Sequence, residues 1–318
     1  VTFTHGRNKD AGVNLSLEER YCGCLLGLAC GDAVGTTVEF SPRGTFIPLT
    51  DMVGGGPFHL KPGQWTDDTS MALCLAESLL AKRGFDPRDQ MTRYLNWWQW
   101  GYLSATGECF DIGTTIRQAL EHFQRSGDPF CGSQRPSTAG NGSLMRLAPV
   151  VLRYFPNASD TAHYAVESSR TTHAAAEALE CCQLFSELLS RALAGQSKAQ
   201  IIAPVTTPFQ EPRVQAIALG EYLHKPREQI HGTGYCVQSL EAALWCFATT
   251  ESFEAAVFAA ANLGDDADTT AAIAGQLAGA FYGDAGIPAG WLLKLHMHEE
   301  IRATAQALWV AATGAPST

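Results

Sequence analysis

The chain has 318 residues, 46% of them hydrophobic, which is enough for one large core or two ordinary ones. It carries 22 basic against 32 acidic residues, a formal net charge of −10, and no basic stripe, so nucleic acid is not expected as a partner. Its ten cysteines include no C-x-x-C pair and no apolar leader opens the chain; they read as reduced core thiols of a cytoplasmic protein, without a zinc site.

Residues 1–15 are polar and lack periodicity, and are expected to be a flexible arm before a single domain over 16–318. Ser16-Leu17-Glu18-Glu19 matches a capping box and opens a helix carrying Tyr21, Leu25, Leu28 and Ala29. Gly23, Gly27 and Gly31 within it predict a second helix packed very close, since glycine otherwise costs helix stability. Gly31–Gly35 ends this helix and Glu39 follows in a loop. No run of about 18 apolar residues is evident, so no membrane span is expected. Val53–Pro57 reads as loop. Apolar residues then recur with helical spacing from Met71 to Leu80, directly after Trp65-Thr66-Asp67-Asp68-Thr69.

Asp86-Pro87 is a cap with proline at the first helical position, opening a helix through Trp97 and Trp98. Asp111 is expected to cap a helix near 114–123, and residues 125–142 form a long loop rich in Gly, Ser and Pro. Further helices are predicted near 144–154, 159–171, 174–194, 213–222, 237–248, 252–263, 271–282 and 299–312. Period-2 alternation is nearly absent, so the fold class is all-α with ten or more helices.

Two segments about two hundred positions apart share a grammar. Thr66-Asp67-Asp68 and Asp266-x-Asp268-Thr269 each set two carboxylates and a threonine hydroxyl at the head of a small-residue, apolar helix. Two readings fit. One is a pair of separate acidic N-caps. The other is a shared site for divalent cations, because buried carboxylates need a counter-charge and no Lys or Arg cluster lies near either segment. Oxygen-only ligands select Mg²⁺, Mn²⁺ or Ca²⁺ over zinc.

Seven motifs then resemble the ADP-ribosylglycohydrolase family, in family order: GLACGDAVGTTVEF, GQWTDDTSM, TGECFDIGTTIRQAL, GNGSLMRLAPV, SSRTTHAAAEALE, GTGYCVQSLEAALWCF and NLGDDADTTAAIAGQLAGAFYG. The resemblance runs from about Tyr21 to Gly283. It implies a compact orthogonal multi-helix bundle holding two Mg²⁺ or Mn²⁺ ions. The implied metal ligands are Glu39, Thr66, Asp67, Asp68, Asp266, Asp268 and Thr269, with Glu39, Asp67 and Asp68 carrying the catalytic work. Gly113, Asn141, Gly142, Ser143, His173 and Tyr235 would bind the ADP-ribose moiety. The implied activity is hydrolysis of ADP-ribose from protein side chains, with arginine as the preferred acceptor and serine as the alternative. Glycoside hydrolysis commonly employs carboxylate pairs. A second implied role is immunity against an ADP-ribosylating toxin, by reversing its modification or by occluding it.

Overall fold

The structure, a computed structural model, describes residues 15–315, so the expected arm at 1–15 lies outside the described residues apart from Leu15. Fourteen α-helices follow in order: α1 (Leu17–Gly35), α2 (Asp67–Ala81), α3 (Pro87–Trp100), α4 (Thr114–Ser126), α5 (Ala148–Tyr154), α6 (Ala158–Arg170) and α7 (Ala176–Leu193). Then come α8 (Lys198–Ile201), α9 (Pro212–Ala218), α10 (Cys236–Ala248), α11 (Phe253–Ala261), α12 (Ala267–Tyr282), α13 (Ala289–Lys294) and α14 (His298–Thr313). Extended pairing among the described residues is limited to three isolated bridges, which bears out the all-α reading.

The predicted caps are in place. Ser16 Oγ accepts the Glu19 N–H at 3.2 Å, and the Glu19 carboxylate takes the Ser16 N–H at 2.7 Å. Asp86 accepts the N–H groups of Arg88 and Asp89, both at 3.0 Å, ahead of Pro87.

The glycine spacing of α1 has the expected counterpart. It packs antiparallel against α12, matching Gly23, Gly27, Gly31 and Gly35 with Gly279, Gly275, Ala271 and Ala267. A methyl placed on Gly31 would lie 2.1 Å from the Ala271 carbonyl oxygen, and one on Gly275 2.1 Å from that of Gly27. The two backbones thus touch with no room for side chains, closer than an ordinary helix pair. The pairing also sets the register of the site. It ends where Gly35 meets Ala267, so the chain leaving α1 reaches Glu39 beside the first turn of α12, which holds Asp268.

Against the expectation of no such run, the segment Leu17–Val38 is long and apolar enough to cross a membrane, but its most apolar 18-residue stretch is 94% buried inside the fold. It is the core helix around which the others pack, and an all-round apolar helix suits that place. All ten cysteines are unpaired, and all but Cys109 are buried. Trp65 is fully buried and donates its Nε1–H to the His296 carbonyl at 3.1 Å, which makes it a core anchor.

Two helix starts differ from the sequence reading, and two short helices are additional to it. α5 begins at Ala148 rather than near 144, because residues 142–147 turn to bury Arg146, whose Nη1 donates to the Gly142 carbonyl. α12 begins at Ala267, so Asp268, Thr269 and Thr270 lie inside its first turn rather than before it. α8 and α13, of four and six residues, were not predicted.

Candidate active site

Four chain segments build the site: the turn after α1, the N-terminus of α2, the strained residue before α4, and the N-terminus of α12. Asp32, in the last turn of α1, makes the first connection. Its fully buried carboxylate accepts the backbone N–H groups of Thr66 (2.9 Å) and Thr69 (3.0 Å) and both of their hydroxyls (2.9 and 2.6 Å). The exposed amides of a helix N-terminus favour such an anion. Asp32 therefore caps α2 from outside, and its pKa, though raised by burial to about 6, is held down by those four donors.

That arrangement removes the capping reading for both acidic segments. Thr66 is the N-cap residue of α2 and Asp266 that of α12, yet neither side chain accepts a capping bond from the backbone of its own helix. Thr66 Oγ1 instead sits 3.3 Å from Asp68 Oδ2 and 3.2 Å from Asp268 Oδ2, while Thr269 Oγ1 sits 3.3 Å from the same Asp68 oxygen. One hydroxyl proton on Thr66 cannot satisfy three carboxylates. Asp266 Oδ2 accepts from Asn141 Nδ2 at 2.7 Å. The two segments thus meet, although they are about two hundred positions apart in sequence.

Asp111 is a correction. Its side chain does not cap α4, whose N-cap is Gly113 with no side-chain bond. With φ 58° it turns inward, and its carboxylate joins those of Glu39 and Asp268 within 4.8 Å of one another. Asp111 is also the charged neighbour that, after burial, most raises the Asp67 pKa. Asp32 and Asp111 are the two site residues that sequence reasoning missed.

The cluster carries a large uncompensated charge. Burial, then Asp111 and Asp266, push Glu39 up to about 9; burial, then Asp266 and Asp32, push Asp111 up to about 8. Asp67, Asp68 and Asp268 are raised well above the carboxylate range, first by burial and then by their acidic neighbours. One oxygen each of Glu39, Asp68 and Asp268 is buried with no hydrogen-bond partner. Buried carboxylates in this state need protons or a cation. Oxygen donors with orphaned lone pairs, two threonine hydroxyls and no nitrogen or sulfur ligand fit hard divalent ions.

A pH dependence follows. Folded-state values raised above the unfolded ones mean that the folded chain binds more protons between about pH 4.5 and 9. Stability of the metal-free protein is therefore fullest below that window and falls as pH rises through it. Its thermal midpoint is expected to drop from pH 5 to pH 9, and added divalent ions to restore most at the alkaline end, since they compete with protons. A midpoint rising across that range in chelator would contradict this charge arrangement.

The predicted ADP-ribose-binding residues fall beside the acidic cluster in two groups. Asn141 is tied to Asp266, to Ser239 Oγ at 3.2 Å, and through its N–H to the Gly234 carbonyl at 3.1 Å. A bridge between Gly140 and Tyr235 continues that seam, and the Tyr235 hydroxyl accepts from Arg213 at 3.1 Å. Gly142 and His173 are in contact, with Ile116 from the first turn of α4 beside them, so the uncapped end at Gly113 borders the same space. The Ser143 hydroxyl turns away, accepting from Ser169 at 2.8 Å and Cys182 at 3.4 Å. Phe40 and Phe110 adjoin Glu39 and Asp111 in sequence and are linked through Phe58, with ring centroids 6.4 and 5.1 Å apart. Phe40 is 65% exposed, forming an aromatic rim.

Comparison with known proteins agrees with this geometry. A family model described as ADP-ribosylglycohydrolase matches residues 14–317. The chain is 47% identical to ADP-ribosylarginine hydrolase Tri1 of Pseudomonas putida (strain GB-1), over 92% of this chain and 78% of that one. It is 31% identical to the ADP-ribosyl-[dinitrogen reductase] glycohydrolase of Rhodospirillum rubrum, over 92% and 96% of the two chains. A solved structure, titled ADP-ribosylglycohydrolase-related protein complex, superposes with a TM-score of 0.83 at 45% identity, covering 93% of this chain and 99% of its own. Matched along nearly its whole length in sequence and in fold, the chain belongs to the ADP-ribosylglycohydrolase family.

Proposed function

We propose that this protein hydrolyses the N-glycosidic bond between ADP-ribose and arginine side chains of modified proteins. The observation that carries the reading is the convergence of the two acidic segments on orphaned, buried carboxylate oxygens. Names of relatives at 47% and 43% identity as ADP-ribosylarginine hydrolases support the acceptor. The rim of Phe40, Phe58 and Phe110 at an acidic mouth supports it too, because an aromatic face beside negative charge suits a guanidinium.

In this reading Glu39, Thr66, Asp67, Asp68, Asp266, Asp268 and Thr269 hold two divalent ions, Mg²⁺ or Mn²⁺, with Asp111 as an additional donor. The ions would supply positive charge against the ribose hydroxyls. Asp68 is fully buried, which confines it to ligation. Glu39 and Asp67 keep a small edge to solvent, 4% and 6%, and are the groups able to take a proton from an attacking water. Burial near other acids raises their basicity, which favours that task once cations offset the charge. The main chain at Gly113 and Gly142, with Asn141, His173 and Tyr235, binds the rest of ADP-ribose. Free, buried thiols support a reducing compartment such as the cytoplasm. Among the described residues, no surface feature favours occlusion of a toxin.

The test uses protein ADP-ribosylated on arginine and, separately, on serine. Release of ADP-ribose from arginine is expected with Mg²⁺ or Mn²⁺ and not with chelator. No release under any metal condition would overturn the reading; release from serine alone would overturn the acceptor.

A further inference from the structure

We infer that Thr172, held by Arg146, is a positioning residue that fixes His173 as the neutral Nε2–H tautomer, a hydrogen-bond donor facing the ADP-ribose cleft. This rests on the placement of His173 in the cleft proposed above. Thr172 is fully buried, and its Oγ1 has two neighbours: Arg146 Nη2 at 2.8 Å and His173 Nδ1 at 2.9 Å. A guanidinium can only donate, so the Arg146 N–H occupies one lone pair of the hydroxyl. The hydroxyl proton then has a single acceptor in reach, the lone pair of Nδ1. Were Nδ1 itself protonated, the hydroxyl would accept twice and its own proton would be buried without a partner, which is the costly arrangement. The proton of the imidazole therefore sits on Nε2.

The surroundings point the same way. Arg146 is buried beneath the Tyr94 ring, 4.9 Å from its centroid, and its positive charge favours a lone pair over an N–H at the facing ring nitrogen. Burial, then Arg146, depress the His173 pKa to about 3, so the ring is neutral at physiological pH. The Nε2 edge lies against Gly140 and Gly142: a methyl on Gly142 would sit 2.8 Å from Cε1 and 3.2 Å from Nε2. Among the described residues Nε2 has no hydrogen-bond partner, although His173 is only 3% exposed. An unpaired donor opposite residues without side chains is left for a ligand acceptor, a phosphate or ribose oxygen. Arg146 and Thr172 thus act on the ligand through His173 and touch no reacting atom.

The experiment is nitrogen-15 NMR of the full-length protein labelled at histidine, with His173→Gln identifying the signal. The expected spectrum has Nε2 protonated and Nδ1 bare in the wild type and in Thr172→Ser. In Thr172→Val the single tautomer is expected to be lost. ADP-ribose affinity by calorimetry should fall about 10-fold in Thr172→Val, the worth of one directed hydrogen bond, and stay within about twofold in Thr172→Ser. A wild-type His173 protonated at Nδ1 or at both nitrogens overturns the inference whether or not Thr172→Val folds. An unchanged tautomer and affinity in a folded Thr172→Val also overturn it. The spectrum does not depend on hydrolysis: loss of the proposed activity with the expected tautomer contradicts the function alone, and the wrong tautomer in an active enzyme contradicts the relay alone.

Discussion

Asp68→Asn and Asp268→Asn are each expected to lower metal-dependent release of ADP-ribose by about 100- to 1,000-fold. That corresponds to roughly 3–4 kcal/mol of lost transition-state stabilisation, the scale of a disturbed charge-stabilising metal site. The same substitutions are expected to stabilise the protein in chelator. Asp68 faces Asp268 across Thr66, and each has a buried oxygen without a partner. An amide there removes one like charge and adds a donor toward the remaining carboxylates. A gain of about 1 kcal/mol would raise the thermal midpoint by about 1–2 °C in a chain of 318 residues. Opposite signs of the two effects distinguish a functional site from a structural one. A structural role for these carboxylates would make both variants less stable without metal, and that result in scanning calorimetry would contradict the assignment.

The second large effect lies away from the acids. Gly275→Val is expected to cost about 3 kcal/mol or more, because its Cβ would start 2.1 Å from the Gly27 carbonyl oxygen, and backbone cannot move aside as a side-chain tip can. Separating α1 from α12 also draws Glu39 away from Asp268, so Mn²⁺ affinity should weaken in whatever fraction folds. Gly290→Ala, where an added methyl meets nothing within 4 Å, is the control and should stay within about 0.5 kcal/mol of wild type. Urea unfolding of both variants checks this. Equal stabilities would mean that the contact between the two helices is not what sets the core.

These two results would test the parts of the molecule that are most legible in the sequence. Glycines every fourth residue in α1, answered by the small residues of α12, signal close approach by their spacing alone. Paired Asp-Thr clusters ahead of apolar helices signal a shared site. What stayed hidden was hidden for physical reasons. Asp111 has the local look of a helix cap, since FDIG precedes α4; its inward turn depends on a positive φ that the sequence does not display. Asp32 looks like the end of a helix, and its role exists only because α2 starts opposite it. Arg146 sits in an apolar run that reads as helix, and its burial beside Thr172 is a tertiary event. Helices as short as α8 and α13 span too few turns to show a period.

The proposed function stands on two chain segments, far apart in sequence, forming one centre for a pair of divalent ions. Equilibrium dialysis of the purified protein against Mn²⁺ measures this most directly. Two ions bound per chain are expected, falling to one or none in Asp68→Asn. No bound ion, or a single ion that survives Asp68→Asn, would contradict it.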